Sequence, residues 1–293
     1  MIVSSLYLEI TRSCTLQCEH CFRGACRNEV MSPETIVNIF KDIKEIDFLL
    51  ISGGEPLTAI RQIRTIIEVI KMNKIKVGKI NLVTNATVLN KNVASALKDL
   101  STVGDLNLYL SYDAFHHIEL ERLGLLRKRN ENVLTLKEKF DAKDYFSYES
   151  SPSYNLYPIG NASTLSDERL AEINEKYNTQ YFVDRDPKFV HNYDCINKVN
   201  ADYDKDFNTL YGVINVDVNG NVCASGQSFD IEDEEAVEYN SNVNDLGLLN
   251  ASINHINHYR RINNEKNKGT SLEKIEYKPL IRIKKKNKKN KLN

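Results

Sequence analysis

Long apolar runs are missing from this 293-residue chain. The longest, such as Phe48 to Ile51, are far too short to span a bilayer, so no membrane partner is expected. No basic, apolar, small-residue leader opens the sequence, which predicts no signal peptide. Cysteine is scarce, and six in a chain of this length do not make a disulfide framework. An excess of one charge is missing as well: 39 basic residues offset 40 acidic ones, and a net charge of -1 names no partner. No internal repeat is found. What remains, 41% hydrophobic and 27% charged residues, is the composition of an ordinary globular protein. Its length suits one large α/β domain plus a smaller appendage.

Half of the cysteines fall in one place. Cys14, Cys18 and Cys21 follow a short apolar run, Leu6 to Ile10, in the stretch Thr11-Arg-Ser-Cys-Thr-Leu-Gln-Cys-Glu-His-Cys-Phe22. Iron–sulfur clusters are normally held by four cysteines, and structural zinc wants four ligands in a closed tetrahedron. Three close thiolates with no local fourth therefore suggest a cluster with one iron left open, where a small molecule can bind and react. Two other readings stay open. His20 and Cys26 could complete a zinc knuckle, or the cluster could only ferry electrons. His20 is expected to be a solvated loop residue and Cys26 a bystander thiol. Thiolate chemistry needs a reducing compartment, so the cytoplasm is the expected location.

Strand and helix patterns alternate over the first two thirds of the chain. Strands are expected at Leu6–Ile10, Phe48–Ser52, Lys79–Thr84 and Leu106–Ser111, with weaker ones at Tyr145–Glu149, Tyr154–Ile159 and Tyr181–Val183. Helices are expected from Ser32-Pro33 to about Ile46, over Ala59–Met72, Lys91–Leu100 and Ile118–Arg129, and from Ser166 to Tyr177. This alternation argues for parallel strands with crossover helices, whose ligands sit beyond the carboxyl ends of the strands. The cysteine loop, Gly53 to Glu55, Asn85, Ser111 and Asp113 all fall at such ends. After residue 185 the pattern changes. Tyr211–Asp217 and Asn221–Ala224 flank Asn219-Gly220, a strong hairpin signal. An acidic stretch, Asp230 to Glu238, reads as a solvated loop, and a helix is expected over Asn250–Ile262. Lys278–Asn293 carries eight Lys/Arg and no acid, the composition of a disordered tail or of a nucleic-acid contact.

Cys14, Cys18, Cys21 and the following Phe22, with Ser52-Gly53-Gly54-Glu55-Pro56 about thirty residues on, resemble the radical S-adenosylmethionine (radical SAM) superfamily. The resemblance implies a partial (β/α)6 barrel over residues 1–185. It implies a 4Fe-4S cluster on the three cysteines, with S-adenosylmethionine chelated to its fourth iron. It implies reductive cleavage to a 5′-deoxyadenosyl radical that takes a hydrogen atom from the substrate, with the electron coming from a reductant such as flavodoxin or ferredoxin. Gly53, Gly54, Glu55, Asn85, Ser111 and Asp113 are then expected to contact the cofactor, although Asn85, Ser111 and Asp113 could instead cap the next helix. Ser111-Tyr-Asp-Ala-Phe-His116 resembles an element of several peptide-modifying radical enzymes, and His116 could orient a substrate or only pack. Leu156-Tyr-Pro-Ile-Gly160-Asn-Ala162 resembles the strand that lines the adenosine there, with Asn161 where that group often has Arg.

The hairpin Val216–Cys223 resembles the first hairpin of SPASM or twitch domains. With only Cys195, Cys223 and Cys26 left over, a degenerate α+β twitch-like domain is expected at 186–265, followed by the tail at 266–293. Peptide epimerases of the superfamily resemble this chain in size, in the Ser-Tyr-Asp element and in a late hairpin cysteine; the resemblance makes Cys223 the catalytic candidate, as a donor that returns a hydrogen atom, although it could instead be a small buried hydrophobe, and it makes a ribosomally made peptide, epimerised or cross-linked, the expected substrate. A radical enzyme acting on nucleic acid and a non-catalytic iron–sulfur or zinc protein are the alternatives.

Overall fold

The computed structural model describes residues 1–147, 153–156, 160–183, 201–223 and 241–268. Five parallel strands run in chain order across one sheet: β1 (Ile2–Glu9), β2 (Glu45–Ser52), β3 (Lys76–Thr84), β4 (Asp105–Tyr112) and β5 (Lys143–Ser147). Helices α1 (Pro33–Phe40), α2 (Ile60–Met72), α3 (Lys91–Leu100), α4 (Ala114–Arg122) and α5 (Leu126–Phe140) make the crossovers. β6 (Ser153–Leu156), α6 (Asp167–Tyr177) and β7 (Gln180–Val183) follow, with β6 and β7 paired in parallel apart from the main sheet. This is a mixed α/β fold built on a parallel sheet, as the alternating pattern predicts.

Alternation along each strand sorts its side chains. On β1, Val3, Leu6 and Leu8 are buried in the main core, while Tyr7 and Glu9 face a cavity on the opposite face. Ile36 and Ile39 of α1, Ile63 and Ile67 of α2, and Val93 and Leu97 of α3 cover the core face. Local sequence sets the helix starts. Ser32, Asn90, Asp113 and Ser166 each accept a backbone N–H three residues on, at 2.9–3.1 Å.

The structure corrects several sequence expectations. α1 ends at Phe40, short of Ile46, because Glu45 already pairs with Ile2 in the parallel ladder. The expected helix Ile118–Arg129 is two helices, α4 and α5, broken at Gly124, whose φ of 65° ends the first. The strand β8 (Ala201–Asp204), absent from the sequence reading, pairs antiparallel with β9 (Thr209–Val216). β9 and β10 (Val222–Cys223) form the expected hairpin. β9 also pairs in parallel with β1, so strands of the segment assigned to an appended domain extend the barrel sheet itself. α7 (Val243–Lys268), bent at Gly247, packs Leu248, Ala251 and Ile256 into the main core. Cys195, the acidic stretch and the basic tail lie outside the described residues.

Candidate active site

After β1 the chain leaves and returns antiparallel to itself. Thr11 and Val30 form a bridge, Met31 N–H donates to Ile10 O at 2.9 Å, Arg12 N–H to Glu29 O at 2.9 Å, and Arg27 N–H to Arg12 O at 3.2 Å. The three motif cysteines lie inside this return. Cys21 N–H donates to Cys18 O at 3.1 Å and Gly24 N–H to Cys21 O at 3.0 Å, closing tight turns around the thiols. The residues after β6 brace the loop from outside. Asn161 gives its backbone N–H to Cys21 O at 2.9 Å and its side-chain amide to Cys18 O at 3.0 Å. Gly160, with φ of 58°, lies so close that a Cβ would be 2.4 Å from Phe22 O. Gly160 therefore supports the loop and is not among the residues lining the cavity. Asn161, where the resembling group has Arg, is a loop brace that the sequence did not suggest.

The Gly53-Gly54 step brings the end of β2 onto the same loop. Gly54 N–H donates to Thr11 O at 2.7 Å and Glu55 N–H to Ser13 O at 2.8 Å. A Cβ on either glycine would be 2.4 Å from a loop carbonyl, Thr11 O or Ser13 O. The Glu55 side chain turns away from the cavity and is fully buried. Its Oε1 accepts from Leu57 N–H at 2.9 Å and Thr84 Oγ1 at 2.8 Å, and its Oε2 accepts from Asn85 N–H at 2.8 Å. Burial pushes this carboxyl up, against the pull of the three donors. Glu55 ties the end of β2 to the end of β3.

A cavity of about 590 Å³ opens at these strand ends. Cys14, Cys18, Cys21, Phe22, Gly53, Gly54, Asn85, Ser111 and Asp113 all line it. The Asn85 amide points at the Cys14 sulfur at 3.6 Å and at Thr15 Oγ1 at 3.3 Å. Asp113 is 2% exposed and both its oxygens are taken. Oδ1 meets His116 N–H at 2.9 Å and His116 Nδ1 at 2.8 Å, while Oδ2 meets His20 Nε2 at 2.9 Å. Burial alone would raise this carboxyl, but the two imidazoles outweigh it and hold it well below the usual range. His20 is thus no solvated loop residue. It stacks on Phe115 with ring centroids 4.6 Å apart and clamps the cysteine loop to the start of α4.

Two arginines line the cavity, and both are ion-paired. Arg23 meets Glu9 Oε1 at 2.6 Å and Ser52 Oγ at 3.1 Å. Arg12 reaches Glu29 at 3.0 Å and both Glu9 and Asp217 at 3.5 Å. Asp217 caps the hairpin turn, accepting from Asn219 N–H at 2.9 Å and Asn221 N–H at 2.8 Å. Arg12 therefore joins the loop to the hairpin across a sequence separation that hid the contact from inspection of the sequence. Cys223 is buried on β10 opposite Asn215 of β9, and Asn215 lines the cavity. Directly opposed residues of an antiparallel pair share a face, so Cys223 stands on the cavity face, one strand beyond the wall.

The donor set fits an iron–sulfur cluster better than a single metal ion. Zinc needs its thiolates about 2.3 Å away, hence about 4 Å from one another. Among the described residues, the one group of three such donors within 4.8 Å of one another is His20, Asp113 and His116, and it contains no thiol. Among the described residues no motif thiol belongs to such a group with His20, so a Cys-Cys-His-Cys zinc knuckle is not assembled. Leu16 N–H at 3.4 Å and the Asn85 amide both point at the Cys14 sulfur, as donors do around cluster thiolates. Burial raises the Cys18 and Cys21 thiols, and a hydrogen bond with Cys26, then burial, raises Cys14 far above its ordinary value. Metal binding must expel those protons.

The radical SAM superfamily profile matches residues 8–173, more than half of the chain, and the protein belongs to that superfamily. Over 151 residues it is 33% identical to a probable GTP 3′,8-cyclase of Methanocaldococcus jannaschii, covering 47% of this chain and 49% of that one. An uncharacterized protein of the same organism, MJ0907, is 26% identical over 178 residues, covering 58% of this chain and 56% of its own. The chain thus spans about half the length of these relatives. Native anSMEcpe with bound AdoMet and Cp18Cys peptide aligns over 70% of this chain and 54% of its own, at 15% identity and a TM-score of 0.40. Streptococcus suis SuiB bound to the precursor peptide SuiA aligns over 76% and 59%, at 15% and 0.38. Superpositions this loose say nothing about substrate. Among the described residues no helix is long and apolar enough to cross a membrane.

Proposed function

We propose that this superfamily enzyme holds a 4Fe-4S cluster on Cys14, Cys18 and Cys21 and binds S-adenosylmethionine beside it, to modify a ribosomally made peptide. One observation carries the reading: three cysteines on a single braced loop open onto the same cavity as Gly53, Gly54, Asn85 and Ser111. Bound together, the cluster and S-adenosylmethionine supply a one-electron cleavage of the sulfonium and hence abstraction of a hydrogen atom. The chain's own residues do the rest. Gly53 and Gly54 leave backbone exposed to the amino-acid end of the cofactor, with Asn85 and Ser111 beside it. Phe22 offers a ring at the cavity wall, backed by the Arg23 guanidinium 5.2 Å from its centroid. Asp113 is a positioning residue that fixes His20 and His116, and Glu55 fixes the backbone at Asn85. A flavodoxin or ferredoxin is the proposed electron donor.

The substrate reading rests on the rest of the cavity. Tyr7, Leu50, Val83, Tyr145, Asn155 and Asn215 line it with rings, apolar groups and amides. Such a wall suits an uncharged, amide-bearing chain. A polyphosphate or nucleic acid wants cationic contacts, and here both arginines already face carboxylates. We assign Cys223 as hydrogen-atom donor in an epimerisation. Its thiol gives a hydrogen atom to the carbon radical, leaving a thiyl that one electron from the reductant and one proton restore. Anaerobic incubation with dithionite and S-adenosylmethionine should yield 5′-deoxyadenosine, and Cys14→Ala, Cys18→Ala or Cys21→Ala should abolish it. A product-free wild type refutes the class. For the peptide, turnover in deuterated water should place a single deuterium at an inverted carbon, and Cys223→Ala should lose it. Deuterium still incorporated by that variant would remove Cys223 from the chemistry.

A further inference from the structure

Asn85 stands just past the end of β3 with both ends of its side-chain amide engaged, and its partners fix which way the amide points. Its Oδ1 accepts from Thr87 N–H at 2.9 Å and from Thr87 Oγ1 at 2.6 Å. A backbone N–H can only donate, so that end of the amide is the oxygen and the NH2 faces the cysteine loop. There Nδ2 meets Thr15 Oγ1 at 3.3 Å and Cys14 Sγ at 3.6 Å. Thr15 Oγ1 and Thr87 Oγ1 are themselves 2.5 Å apart. The direction of each proton follows. Thr87 spends its hydroxyl proton on Asn85 Oδ1, so Thr15 gives its own to Thr87, and Thr15 Oγ1 is left to accept from Asn85. The ring of Asn85, Thr15 and Thr87 closes with every donor running the same way, and the second amide hydrogen goes to the Cys14 sulfur. Hydrogen bonds in such a chain strengthen one another. Asn85 and Thr87 are both buried, which shields the ring from water. Ala86, at φ of 62°, makes the turn that brings Thr87 N–H back to Asn85, and Asn132 Nδ2 holds Ala86 O at 2.9 Å.

On the cluster reading given under Proposed function, we propose that Asn85 tunes the reduction potential of the cluster through its N–H to the Cys14 sulfur, and that Thr15 and Thr87 are positioning residues that hold the amide to that task. One electron passes from the flavodoxin or ferredoxin to the cluster, and the negative charge on its thiolates grows. No bond forms or breaks at Asn85, and no proton moves. A donor aimed at one of those sulfurs stabilises the reduced state more than the oxidised one and raises the potential. Cleavage of the sulfonium draws on the reduced state, so the ring sets how strong a reductant the enzyme requires. The same geometry turns the Asn85 side chain away from direct contact with a ligand: one amide hydrogen goes to Thr15, the other to Cys14, and the oxygen already has two donors.

The test uses the full chain, reconstituted anaerobically with iron and sulfide, without S-adenosylmethionine, and compares proteins that bind iron equally. The midpoint potential is read from a mediated redox titration followed by electron paramagnetic resonance. Asn85→Leu keeps the volume and has no N–H to give. At a fixed potential its ratio of reduced to oxidised cluster should fall about tenfold, a shift of about 59 mV to more negative values for one electron. Thr87→Val and Thr15→Val break the ring and should shift the potential the same way by less, while Thr87→Ser and Thr15→Ser should restore the wild-type value. A potential unchanged in Asn85→Leu overturns the proposal, and where that variant binds no iron, unchanged potentials in both valine variants overturn it. A shift in Thr87→Val that Thr87→Ser reproduces in full overturns it as well, since the hydroxyl is then not what matters. Weaker S-adenosylmethionine binding by Asn85→Leu at an unchanged potential overturns it in favour of a ligand contact. Failure of the wild type to assemble a cluster, or retention of zinc in its place, would instead strike the reading of the site as a whole.

Discussion

Removing the Glu55 carboxylate separates a residue that holds the fold from one that only touches a ligand. In Glu55→Ala three donors lose their acceptor: Leu57 N–H, Asn85 N–H and Thr84 Oγ1, now bonded at 2.8–2.9 Å. The Thr84 hydroxyl can rotate. The two backbone groups cannot, and each orphaned buried donor costs about 1–3 kcal/mol, so together about 2–6 kcal/mol. Burial raises the Glu55 carboxyl, so removing it relieves part of a desolvation cost and places the loss toward the lower part of that range. The net loss is about 2–4 kcal/mol, a large share of the ~5–15 kcal/mol that folded proteins have. Urea unfolding of the metal-free protein, followed by circular dichroism, reads it directly. With a slope of about 3 kcal/mol/M the midpoint should fall by about 1 M at unchanged slope. Glu55→Gln keeps one acceptor oxygen and turns an amide N–H against a backbone N–H, so its loss should be intermediate. A midpoint unchanged within about 0.2 M, together with lost S-adenosylmethionine binding, would refute this placement and make Glu55 a ligand contact.

The other expectations are smaller in scope. Burial, with His258 adding to it, pushes the His255 imidazole from 6.5 down to about 3. The unfolded chain therefore binds the extra proton between those values, so the contribution of His255 is complete above pH 6.5 and is lost as pH falls. From pH 7 to pH 5 the loss is about 2 kcal/mol; His255→Gln should flatten that part of the stability profile, and an unaltered profile would sink the assignment. Gly160→Ala places a Cβ 2.4 Å from Phe22 O and 2.6 Å from Cys21 O at a φ of 58°. It should lower the iron bound per chain after anaerobic reconstitution while leaving the secondary structure intact, and undiminished iron would show that Gly160 does not set the loop.

Much of the architecture was legible because its signals are local. Period-two and helical apolar patterns, a Ser-Pro start and Asn90 before α3 specify elements within a few residues of where they form. The boundary errors have physical causes. The residues after Phe40 carry helix-compatible apolar spacing, but Ile2 recruits Glu45 into a ladder more than forty positions away. The expected helix Ile118–Arg129 runs across Gly124, whose left-handed φ turns the chain there. The motif cysteines and Gly53-Gly54 were legible because one short loop carries them and one close approach requires them. His20 as a clamp, Asn161 and the Arg12–Asp217 pair were not, since each acts through a partner brought in by the fold.

Asp113 shows why such residues are misread singly. Capping α4 and serving the site stood as alternatives in the sequence, yet one carboxylate does both. Its Oδ1 satisfies the first turn of α4 and holds the His116 ring, and its Oδ2 holds His20 from within the cysteine motif. A helix that begins at a strand end must be capped there, and ligands of parallel sheets gather at those same strand ends. The cap is therefore already inside the site, and its second oxygen fixes the loop that carries the three cysteines. The same reasoning applies to Glu55, which caps the short turn at Pro56–Thr58 and fixes Asn85 with its other oxygen. In both cases the carboxylate positions groups that face the cavity without lying between them and the ligand, and a substitution there should disturb the loop before it disturbs any contact with the cofactor.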